Sequence, residues 1–207
     1  MTATSELLLR ICAEKPSLDC NVLETVVMLA VEIAREGREG RKIGTLFAVG
    51  DTEEVLRHSK PMILDPLFGH PDEKKNVTSH DLRETIKELA QMDGAFLISD
   101  EGIAVSGCRY LDASAEGISL TLGLGSRHVA AASISRRTKT VAVVVSESSI
   151  VRVFNNGELI CEIIPEIWLM RRYNLYPEGP LVEKVQNEIP RKERRPAASS
   201  GPISVEQ

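Results

Sequence analysis

Two hydrophobic periodicities alternate along this chain, and that alternation limits its fold more than any other feature. Leu18–Arg35 carries Val22, Leu23, Val26, Val27, Leu29, Ala30, Ile33 and Ala34 at helical spacing, with Gly37 and Gly40 beyond as stops. Ile43–Gly50 is instead short, apolar and bounded by turn residues, as a buried strand is. The pattern repeats downstream. Thr78-Ser79-His80-Asp81 has capping-box form, and Leu82, Ile86 and Leu89 then predict a helix ending before Asp93-Gly94. Ala95–Ser99 and Ile103–Leu111 flank the tight turn Asp100-Glu101-Gly102. Ile118–Leu124 predicts a further strand, Ala130–Arg137 a short alanine-rich helix, and Thr140–Val145 a buried strand. Ile150–Phe154 and Leu159–Ile163 enclose Asn155-Asn156-Gly157, the strongest hairpin signal present. Helices interleaved with strands and two antiparallel pairs predict an α/β fold: a mixed, largely central β-sheet flanked by helices.

At 207 residues there is room for one ordinary domain with extensions. We divide the chain into an N-terminal helical segment (1–36), a main domain (37–186) and a disordered tail (187–207) rich in proline, serine and charge. A net charge of −5 and 4% aromatic residues argue against a nucleic-acid partner, which would want a basic surface or exposed stacking rings. The longest apolar stretch, Val22–Ala34, is interrupted by Glu24 and Glu32, so no membrane span is expected. Cys12, Cys20, Cys108 and Cys161 share no metal-ligand spacing. They read as reduced thiols of a cytoplasmic protein, without a disulfide framework.

The segment Gly123–Ala132 is where chemistry concentrates. Glycines and a serine precede the alanine-rich helix, with Arg127 and His128 in its first turn. Gly125 permits close approach of a ligand, and Ser126 is placed to be the N-cap. The helix N-terminus, the Arg127 guanidinium fork and a His128 donor of adjustable charge then suit an anion such as phosphate. Cations in a first helical turn oppose the helix dipole unless an anion lies between them. Ser146-Glu147 lies just beyond a strand end, where ligands of α/β sheets collect.

Taken together, Asp93-Gly94-Ala95, Ser106-Gly107-Cys108-Arg109-Tyr110-Leu111, Gly125-Ser126-Arg127-His128-Val129-Ala130-Ala131 and Ser146-Glu147, in this order and spacing, resemble the diadenylate cyclase domain. Gly44-Thr45-Leu46-Phe47 and Asp65-Pro66-Leu67-Phe68-Gly69-His70 are also similar to it, and the likeness spans about residues 37–160. The resemblance implies condensation of two ATP into cyclic di-AMP and two pyrophosphates. It implies that Asp93 lies at the ribose 3′-hydroxyl or a divalent metal, Mn²⁺ or Mg²⁺, with Glu147 in the metal environment. Gly94 and Ala95 would line the nucleotide site, and Leu111 would pack near adenine. Ser126, Arg127 and His128 would hold the phosphates and Gly125, Val129, Ala130 and Ser146 would also line the substrate site, with Arg127 and His128 joining Asp93 in catalysis. Position 126 is Ser where the family usually has Thr, Val129 stands where many members carry Arg, and Met92 where some carry His.

A product with two equivalent phosphodiesters requires each ATP to be nucleophile and electrophile in turn. One phosphate loop per chain supplies one ATP, so a two-fold homodimer or higher homo-oligomer is expected to complete the site. A non-catalytic adenine-nucleotide sensor of the same fold is the alternative reading, and a DNA-bound scaffold a weaker third. Cys108 reads as a packing residue, and Trp168 as core or interface.

Overall fold

The computed structural model describes residues 3–113, 118 and 123–173. The segment read as a tail therefore lies outside the described residues, as do positions 119–122 of the strand expected at Ile118–Leu124. Six α-helices and seven strands are seen among the described residues, besides one 3-10 turn at Asp72–Lys74: α1 (Ala3–Glu14), α2 (Cys20–Glu36), β1 (Thr45–Val49), α3 (Thr52–Arg57), β2 (Ser59–Pro61), α4 (His80–Leu89), β3 (Ala95–Ile98), β4 (Ala104–Leu111), α5 (Ser126–Arg137), β5 (Val141–Val145), β6 (Val151–Asn155), β7 (Glu158–Ile163) and α6 (Pro165–Arg172).

The strands form one mixed sheet in the order β2-β4-β3-β1-β5-β6-β7. β1 and β3 are parallel, and every other neighbouring pair is antiparallel. Both expected hairpins are present, β3–β4 and β6–β7. The central strands are apolar throughout because both faces are covered. In β1, Phe47 and Val49 join a core with α2, while Leu46 and Ala48 join a second core with Ala131, Ala132 and Ile134 of α5. In β5, Val141, Val143 and Val145 face the first core, Ala142 and Val144 the second. The period of two thus sorts side chains between a helix layer on each side.

Helix α2 is the main buttress. Nine of its 17 residues are buried, and each large apolar side chain so buried contributes about 1.5–3 kcal/mol. Asp19 caps it, its Oδ1 accepting from the Asn21 amide at 2.8 Å. Trp168 of α6 joins the same core.

Several expectations are corrected. Cys12 and Cys20 are joined by a disulfide, not held as separate thiols. The short turn between α1 and α2 brings their Cα atoms to 5.6 Å, a proximity their spacing of eight does not announce. Ser126 is not the N-cap of α5 but its first residue. Gly125 is the cap and has no side chain to give, and the helix starts four residues before Ala130. Ser79 caps α4 without a side-chain hydrogen bond. Helix α3 and strand β2 were not expected. The first buries only Val55 and so shows no periodicity; the second is a three-residue edge strand closed by Pro61.

Candidate active site

The site forms along one end of the sheet because of strand polarity. Thr45 pairs with Val145 and Leu46 with Ala95, so the starts of β1 and β3 and the end of the antiparallel β5 share an edge. Gly44, Asp93-Gly94 and Ser146-Glu147 extend from those three strands, and the N-terminus of α5 lies beside them. Only Glu147 follows the carboxyl-end rule; Asp93 precedes its strand.

Arg127 ties these segments together. Its Nη2 donates to Asp93 Oδ1 at 3.1 Å and its Nη1 to Glu147 Oε1 at 3.1 Å. The guanidinium is 33% exposed and the carboxylates 69% and 70%, so the group opens to solvent. A methyl group on Gly44 would lie 2.8 Å from Arg127 Nη1, so glycine there is what admits the guanidinium. At Gly94, φ is +110° and a Cβ would sit 2.6–2.8 Å from the Cys108–Arg109 backbone. Only glycine lets the Asp93 turn close on β4, where Cys108 itself has positive φ. Asp93 Oδ1 also accepts from the Gly94 amide at 3.0 Å.

Two cavities meet at Ser126 and Arg127. One, about 190 Å³, has walls of Leu46, Met62, Ala95, Tyr110, Leu111 and Ala130, with Asp93 and Gly94 at its edge. The other, about 320 Å³, is more polar and is lined by Gly125, His128, Ser146, Glu147, Ser148 and Arg152 among others. With Gly125 as cap, no side chain covers the first-turn amides of α5, which leaves a helix N-terminus suited to an anion beside the second cavity. Of the residues picked from sequence, Val129 alone lines neither cavity.

His128, read from sequence as a donor of adjustable charge, lines the second cavity but is buried at 6% exposure, edge-on to Phe154. Arg152 Nη1 lies 3.1 Å from its Nε2, and Arg152 Nε donates to Glu162 Oε1 at 2.5 Å. Burial first, and then the Arg152 charge, pushes the imidazole below its ordinary value; the Gly125 carbonyl and Glu162 pull the other way. Burial, with Asp65 and Asp93 behind it, raises the Cys108 thiol, as fits a packing residue. Leu46, Met62, Arg109, Tyr110, Ser148 and Arg152 were not singled out as site residues. Each reaches the cavities from strands or loops whose register no local pattern reveals.

The sequence profile described as DAC, DisA bacterial checkpoint controller nucleotide-binding, matches residues 32–159. The chain belongs to this family. It is 47% identical over 144 residues to a diadenylate cyclase of Methanocaldococcus jannaschii, covering 69% of this chain and 45% of that one. It is 41% identical over 153 residues to a diadenylate cyclase of Haloferax volcanii, covering 72% and 55%. The chain thus spans about half the length of these curated relatives. Among solved structures, a double mutant of DacA from Staphylococcus aureus has a similar fold at 23% identity, with a TM-score of 0.50 over 73% of this chain and 94% of that one.

No group of three or more His, Cys, Asp or Glu among the described residues could hold a metal ion by itself. Asp93 and Glu147 nevertheless converge on one guanidinium, and two such hard oxygen donors are of the kind that suits a divalent cation. No helix among the described residues is long and apolar enough to cross a membrane.

Proposed function

We propose that this chain is a diadenylate cyclase that condenses two ATP into cyclic di-AMP and two pyrophosphates. The observation that carries the reading is Arg127, held between Asp93 and Glu147 where the two cavities meet. Membership of the DAC family and the names of its relatives support it.

The nucleoside of ATP fits the more apolar cavity, with Leu111 and Tyr110 against the base and Asp93 at the ribose. The triphosphate lies across Ser126 and Arg127 towards the second cavity. There the α5 N-terminus and the guanidinium offset charge developing on the α-phosphorus. Asp93 orients the 3′-hydroxyl, accepts a hydrogen bond from it and takes up its proton as the oxygen attacks the α-phosphorus and pyrophosphate leaves. A divalent metal held by Asp93 and Glu147 would supply the acidity that an alcohol otherwise lacks. Gly44 and Gly94 keep these groups in register.

Each chain offers one such site, so two chains face each other across a two-fold axis, the 3′-hydroxyl of one ATP reaching the α-phosphorus of the other. The high exposure of Asp93 and Glu147 suits a site open toward a partner. Incubation with ATP and Mn²⁺ should yield cyclic di-AMP by mass spectrometry, with specific activity falling on dilution. ATP binding without product would favour the sensor reading, and constant specific activity in a strictly monomeric sample would rule out the facing pair.

A further inference from the structure

The mechanism leaves one buried ion-paired arginine unused. Arg152, on β6, has a side chain only 10% exposed, yet lines the polar cavity together with His128 and Arg127. An arginine is never deprotonated under these conditions, so its Nη1 can only donate. At 3.1 Å from His128 Nε2, that donor requires a lone pair on Nε2. The ring proton must then sit on Nδ1, a fully buried ring nitrogen. Glu162 holds the other side of the guanidinium through Nε, so the fork is anchored from β7 and aimed at α5 from β6.

We propose that Arg152 is a positioning residue that fixes the proton of His128 on Nδ1 and so keeps the ring neutral beside the polyphosphate. The anion in this statement rests on the cyclase reading; the tautomer rests on the Arg152–His128–Glu162 chain alone. Protonating Nε2 would set an N–H against the guanidinium, a repulsion added to the cost of burying a charge. The charged groups around the ring are Arg152 on β6, Glu162 on β7 and Arg127 on its own helix. Arg127 is neutralised by Asp93 and Glu147, and Glu162 by Arg152. The consequence is a division of labour. Arg127 carries the charge for the phosphates, while His128 stands beside it as an uncharged ring.

The test is ¹⁵N-histidine NMR on the full chain, with the His128 ring assigned by its loss in His128→Gln. At pH 7 the wild type should show a protonated Nδ1 and a bare Nε2, unchanged down to pH 6. An Nε2-protonated ring or an imidazolium at pH 7 overturns the proposal. In Arg152→Met the ring should move toward the Nε2-protonated form and titrate at a higher pH than in wild type, and Arg152→Lys should restore the wild-type pattern. A Met-variant ring spectrum like that of wild type overturns the assignment. Should the Met variant not fold, the wild-type and Lys spectra decide. The ratio of variant to wild-type KM for ATP, in which ATP's own titration cancels, should fall at least threefold from pH 8 to pH 6. A flat ratio refutes the role in binding, because a purely structural arginine would leave it flat. If no product forms at all, the cyclase reading fails and the ring spectra alone decide the Arg152 assignment.

Discussion

Replacing Gly44 with alanine isolates the geometry of Arg127 from the stability of the fold. The added methyl would lie 2.8 Å from Nη1, 3.2 Å from the guanidinium carbon and 3.3 Å from Glu147 Cγ. Ordinary carbon–nitrogen contact is about 3.5 Å, so the guanidinium must retreat by roughly 0.7 Å. Its hydrogen bonds to Asp93 and Glu147, both 3.1 Å, would stretch past hydrogen-bonding range. The backbone at Gly44 has no positive φ, and the crowded atoms belong to movable side chains rather than main chain. Because the ion pairs are largely exposed, their loss should cost less than about 1 kcal/mol of stability. Catalysis is less forgiving: a displacement approaching 1 Å at a positioning group costs on the order of 100-fold. We therefore expect Gly44→Ala to keep a melting temperature within a few degrees of wild type while cyclic di-AMP production, followed by mass spectrometry, falls about 10- to 100-fold. Wild-type turnover in the folded variant would refute the assignment of Arg127 as the group that must be held between the two carboxylates.

Gly94→Ala should behave in the opposite way. A positive φ and a methyl driven into main chain at 2.6 Å should cost about 3 kcal/mol or more and lower the midpoint of urea unfolding, whatever the activity. Asp93→Asn, at a side chain 69% exposed, should leave stability within about 0.5 kcal/mol while abolishing product, with ATP binding by calorimetry largely kept. Burial lowers His128, so the unfolded chain binds its proton first as pH falls. The folded state is then favoured above the unfolded value of about 6.5 and loses stability below it, by up to about 1.4 kcal/mol per pH unit. His128→Gln should flatten that part of the stability–pH curve measured by urea unfolding, and an unchanged slope between pH 5 and 6.5 would show that this histidine is not the source.

The alternation of periodicities in the chain was enough to recover the mixed α/β class, both hairpins and the central strands, because each rests on spacing between near neighbours. Asp93-Gly94-Ala95, Arg127 and Glu147 drew notice as one set only through the resemblance, which rests on their order along the chain, and Asp93, Arg127 and Glu147 do come together in space. Helix α3 and strand β2 escaped the local reading, being too short for a period to show.

What tertiary structure alone decided depends on distance in space between segments far apart in sequence. The register of β1 against β3 and β5 brings Asp93 and Glu147, 34 and 20 positions from Arg127, onto a single guanidinium. Nothing local to Gly125–Ala131 indicates that His128 turns inward onto an arginine of β6, or that Cys12 and Cys20 meet where α1 turns into α2. A sequence pattern reports which face a residue occupies within its own element; which other element covers that face is set by packing the whole chain, and the protonation of His128 follows from that packing.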